Sequence, residues 1–83
     1  MSMQSHYTIY VAKRISREGR ESYVHLFVTG STLVTIEQAH DAYSEIVRAF
    51  PAPSYTVGVT HWQAAGTDMT HAFTAREERF RHD

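Results

Sequence analysis

The sequence predicts an α+β fold, ββαββ: a four-stranded antiparallel sheet with one main helix on one face and a short C-terminal helix. Three observations carry this expectation. Residues 6–14, 22–29, 55–63 and 69–74 alternate side-chain character with the two-residue period of a strand. Only one long segment, residues 36–50, spaces its apolar residues three and four apart, as a helix does. Both faces of such a sheet would carry large side chains, and a single helix covers one of them.

In the first strand Tyr7, Ile9 and Val11 fall on one side and Thr8, Tyr10 and Ala12 on the other, residue types that suit a pleated surface. In the second, Val24, Leu26 and Val28 alternate with Tyr23, His25 and Phe27. The polar run Ser16-Arg17-Glu18-Gly19-Arg20-Glu21 between them makes an antiparallel hairpin. Opposed residues share a face, so pairing Ile9 with Val28 joins the two aliphatic sets, whereas a slip of one residue pairs Ile9 with Phe27 and mixes them. The first register is the expected one.

Thr35-Ile36-Glu37-Gln38 has capping-box spacing, in which the threonine hydroxyl and the glutamine side chain each accept from the other's backbone amide. The helix that follows sets Ile36, Ala39, Tyr43, Ile46, Val47 and Phe50 on one face, to pack on Val11, Leu26, Val57 and Val59. Pro51 and Pro53 end it. In the third strand Tyr55, Val57 and Val59 lie opposite Thr56, Gly58, Thr60 and Trp62. A loop over residues 64–68 then leads into the fourth, and closing that hairpin with Gln63 opposite Met69 places His61 across from His71. Thr74-Ala75-Arg76-Glu77 repeats the capping spacing, so the charged tail over 75–83 begins a short helix anchored by Phe80. Residues 1–5 are expected to be flexible.

The 83 residues make one small domain, and a chain of this length buries only about 60% of its unfolded surface, which favours added stability from a partner or a second copy. Eight basic against nine acidic side chains leave a net charge of −1, without the global positive field of non-specific nucleic-acid or membrane binders. Zero cysteines exclude disulfides, thiol catalysis and cysteine-ligated zinc. No apolar run approaches the roughly 18 residues of a membrane span. A soluble, cytoplasmic chain with no membrane partner is the expectation.

Tyr10, Tyr23, Phe27 and Trp62 fall together on the face without a helix. Single exposed aromatics are ordinary, but four on one face match the composition of interface cores. On the helix, Glu37, Asp41 and Glu45 form a carboxylate stripe, unfavourable by a few tenths of a kcal/mol per pair. Such a stripe either is a solvated face or meets arginines and lysines on a protein that handles nucleic acid, in place of phosphates. Small phage-encoded inhibitors such as anti-CRISPR proteins act in this way, an analogy of size and charge pattern alone. The basic residues Lys13, Arg14, Arg17 and Arg20 are the alternative: a hairpin that contacts phosphates while Tyr10 and Tyr23 stack on bases. Glu18 and Glu21 dilute that patch, and a mixed-charge tip also serves simply to keep an edge soluble. The His61–His71 pair lacks the third ligand that zinc requires and stands as a structural or pH-sensitive contact. No serine sits in a nucleophile elbow and no glycine-rich loop cradles phosphate, so the chain is expected to be non-enzymatic, without cofactor or metal. A protein-binding module is the leading reading; a nucleic-acid binder and a structural homodimer are its alternatives.

Overall fold

The computed structural model describes the backbone of residues 5–82 and the side chains of residues 5–79. The elements run β1 (His6–Arg17), β2 (Arg20–Val28), α1 (Ile36–Ala49), β3 (Tyr55–Trp62), β4 (Gly66–Asp68) and α2 (Thr70–His82). The strands pair antiparallel in the spatial order β2-β1-β3-β4, with β2 and β4 at the edges. This is the α+β fold expected from the sequence.

The first turn is tighter than the six-residue polar run suggested. Arg17 and Arg20 face each other across Glu18 and Gly19, whose φ values of 52° and 77° are both left-handed. Two such residues give the turn whose twist matches a hairpin, and glycine takes that conformation without steric cost. The strands therefore extend further than expected, to twelve and nine residues.

Their register follows expectation near the turn, where Lys13 faces Val24 and Arg14 faces Tyr23, but it shifts by one at Leu26. Beyond that bulge Val11 faces Phe27 and Tyr10 faces Val28. The expected Ile9–Val28 pair does not form: Thr29 donates its amide to the Ile9 carbonyl, and Ile9 donates to the Thr29 hydroxyl, both at 2.9 Å. One inserted residue reverses which side chains share a face. Phe27, expected on the uncovered face, accordingly lies on the helix side, edge-on to Phe50 at 5.5 Å between ring centres. Leu26, expected beneath α1, is exposed.

The α1 capping box forms as its spacing predicts. The Gln38 amide donates to the Thr35 hydroxyl, and the Thr35 amide donates to the Gln38 side chain, both at 3.1 Å. Ala39 and Tyr43 are buried on the face that meets the sheet, with Ala42, Ile46 and Val47 partly buried beside them.

The chain after β3 departs most from expectation. The fourth strand is only Gly66–Asp68, paired with residues 60–62 of β3, and residues 69–74 do not form a strand. The Asp68 side chain turns the backbone by accepting from both the amide and the hydroxyl of Thr70, at 3.0 and 2.6 Å. Those two bonds, the hydroxyl first, hold its carboxyl below the usual carboxylate range. The Thr70 hydroxyl in turn accepts from the amide of Val59, at 2.9 Å. α2 thus starts at Thr70, five residues before the expected tail helix, and runs thirteen residues. Met69 and Phe73, read as alternate strand positions, are one helical turn apart and both join the core. His61 consequently faces Thr67, while His71 stands exposed on α2, so the expected histidine pair does not exist. The Phe80 side chain and residues 1–4 of the expected flexible segment lie outside the described residues.

Both helices cover the same side of the sheet. Tyr7, Ile9 and Val59 meet Ala39 and Tyr43 from α1 and Phe73 from α2 in one buried cluster. Phe73 is 1% exposed, stacked on His40 at 3.9 Å and edge-on to Tyr43 at 5.6 Å. Burying a ring of that size contributes about 1.5–3 kcal/mol.

Candidate functional site

Because α1 and α2 share one face, the other is left uncovered by the described residues, and the pleat decides what it displays. From β1 come Thr8, Tyr10, Ala12 and Arg14, the residues that alternate with the buried Tyr7, Ile9 and Val11. Opposite them on β2 stand Val28, His25 and Tyr23, and on β3 stand Thr60, Gly58 and Thr56, with Trp62 beyond.

Two cross-strand pairs organise this surface. Tyr10 lies over Gly58, and on its other side stacks on His25, 5.6 Å away at an interplanar angle of 23°. Trp62 lies over Gly66 in the same manner and donates its indole N–H to the Thr8 hydroxyl at 2.9 Å. An aromatic ring laid on a strand glycine covers backbone that has no side chain of its own and pins the register. Tyr10 is therefore half-buried, whereas Tyr23 at 57%, Val28 at 55% and Trp62 at 38% present large surface to solvent.

Of the four aromatics expected together, Tyr10, Tyr23 and Trp62 share the uncovered face and Phe27 does not. Val28 and His25 complete it. His25 was on the expected side but carried no role, and the placement of Val28 depends on the bulge at Leu26, which no residue pattern announces.

The charged candidates are dispersed. Glu37, Asp41 and Glu45 are all exposed on α1, across the sheet from the aromatic face. Glu37 lies in the first turn and Arg48 in the last, each complementing the helix dipole. Asp41 shares a groove of about 240 Å³ with Arg48 and Arg76, so the carboxylate stripe has basic neighbours. The hairpin residues divide by strand alternation. Arg14 points to the uncovered face and is ion-paired with Glu21, while Lys13 and Arg17 point to the other side together with Arg20. A continuous basic patch does not result.

A larger groove of about 430 Å³ opens between the helices and β3, floored by Tyr43, Val47, Phe50 and Val57 and bordered by Glu77 and Glu78. Among the described residues no group of three or more His, Asp or Glu side chains is placed to hold a metal ion, and no helix is long and apolar enough to cross a membrane. Comparison with protein-family models, curated proteins and solved structures finds no match to this chain.

Proposed function

We propose that the protein is a non-enzymatic protein-binding module whose recognition surface is the uncovered sheet face. The observation that carries this reading is the placement of both helices on one side, which leaves Tyr23, Val28 and Trp62 in water around the Tyr10–His25 stack. Aromatic rings with polar tips, flanked by threonines and histidine, supply large contact area at low conformational cost and still satisfy polar groups on a partner. The rings are also prepositioned, because Tyr10 and Trp62 are already seated on glycines.

An inhibitor that occupies a basic surface of a nucleic-acid-handling complex is the finer form of this reading, with Glu37, Asp41 and Glu45 as the contact. It draws less support, since Arg48 and Arg76 share a groove with Asp41. Nucleic-acid binding by the hairpin draws less again, because Arg14 is held by Glu21 and the remaining basic side chains face the other side.

The test is capture of host proteins on immobilised chain, compared among wild type, Tyr23→Ala/Trp62→Ala and Glu37→Lys/Asp41→Lys/Glu45→Lys, with anisotropy titrations on DNA and RNA. The expected result is a protein partner lost with the aromatic variant and retained by the lysine variant. Nucleic-acid binding that weakens steeply with salt and disappears with Arg17→Glu/Arg20→Glu would replace the reading with its alternative.

A further inference from the structure

The two edges of the sheet differ in kind. β4 is three residues long and turns directly into α2, so it offers almost no strand to pair with. β2 is nine residues long, bonded among the described residues to β1 on one side only, and every one of its residues is exposed. Natural edges of that length are normally blunted by charged residues, proline, bulges or covering elements, and the device present within β2 is the bulge at Leu26. From Ser22 to Gly30 there is no charged side chain and no proline. Instead Tyr23, Val24, Leu26, Phe27 and Val28 are each at least 39% exposed, on both sides of the strand.

We infer that β2 pairs antiparallel with β2 of a second copy of this chain, joining two four-stranded sheets into one of eight strands. This rests on the protein-binding reading and names its first partner. The lack of charge in this run favours a second copy over a foreign strand, while the exposed area and the radius of gyration show that surface is left for a partner to cover. An antiparallel pair of identical strands has a two-fold axis normal to the sheet, so with that axis at His25 the uncharged run from Ser22 to Val28 meets its own copy and Arg20 and Glu21 fall outside the paired run. The protein exposes 6132 Å², about 1,100 Å² above the roughly 5,000 Å² of a compact monomer of its mass and more than the roughly 800 Å² each partner loses in a standard interface. Its radius of gyration of 13.9 Å likewise exceeds the roughly 12 Å of a compact chain of this length. The axis also keeps both uncovered faces on the same side, so the two Tyr10–His25 stacks flank the new strand pair on one continuous surface. The recognition face becomes two-fold, and a partner bound by one half meets an identical half beside it.

Sedimentation of the wild-type chain from about 1 to 200 μM, a range that spans typical homodimer affinities, is paired with amide exchange at both ends of it. A species of twice the 9.5 kDa chain, with β2 amides protected only at the high concentration, supports the pairing. Tyr23→Lys/Val28→Lys, placed at exposed positions, is expected to weaken self-association on the order of 100-fold or more while leaving the helical circular dichroism intact. A monomer throughout, or a dimer whose β2 amides exchange freely, overturns it. A monomer that still captures a host protein through Tyr23 and Trp62 removes the second copy and leaves the protein-binding reading standing.

Discussion

Tyr10 rests on Gly58 so closely that a Cβ built at residue 58 would stand 2.1 Å from the ring of Tyr10. The two residues face each other on the central strands, and the missing side chain on one is the seat of the other. Any side chain at 58 must therefore lift the ring, breaking its stack on His25. Gly58→Ala is expected to cost about 1–3 kcal/mol in denaturant unfolding. In a Tyr10→Ala background the same substitution should cost less than half as much, because the clash is gone. Additive losses would show that the ring does not depend on the glycine.

Thr70 links β3 to α2 through one hydroxyl, which accepts from the Val59 amide and donates to Asp68. Thr70→Val keeps the shape and leaves the amide of a fully buried residue without its acceptor. A loss of about 1–3 kcal/mol is expected, against less than about 1 kcal/mol for Thr70→Ser. Equal effects from the two variants would mean that the hydroxyl is dispensable.

Phe73 touches both α1 and β1 from α2. Phe73→Ala is expected to cost about 3–5 kcal/mol, a large share of the stability of so small a domain. The measurement is a urea midpoint, and a shift comparable to that of an exposed alanine substitution would contradict the placement of α2 over the sheet.

His40 stacks on Phe73, and burial there, followed by the nearby Arg76, lowers its pKa below 6.5 against the opposing pull of Asp41, Glu37 and Glu77. The folded state thus resists a proton that the unfolded chain accepts. Its contribution to stability is complete above pH 6.5 and is lost as the pH falls through that value toward the folded pKa. Thermal melts at pH 7.5 and pH 5 should differ, with the lower melting temperature at pH 5. In His40→Phe, which keeps the stack and removes the titration, the difference should narrow.

Local chemistry explains what was legible before the fold was known. The Thr35–Gln38 box sits within four residues, so its spacing alone located the start of α1. Residues 69–74 misled because Met69, His71 and Phe73 fit a two-residue alternation, while Met69 and Phe73 fit a helical turn equally well. Short apolar runs satisfy both periods. The deciding contacts, Asp68 to Thr70 and Thr70 to Val59, span both short and long separations, and their geometry exists only once β3 is in place. The candidate face was legible to a similar degree: Tyr10, Tyr23 and Trp62 followed from alternation, but the bulge at Leu26 exchanged Phe27 for Val28.

By itself the sequence determined that this chain forms an antiparallel sheet with too little helix to cover both of its sides, because periodicity and capping are written within a few residues. Only the tertiary structure decided that α2 joins α1 on the same face, where the bulge falls and that β2 is a free edge. Each of these depends on contacts between residues distant in the chain, whose competing arrangements differ by the packing of whole elements and leave no mark on local spacing.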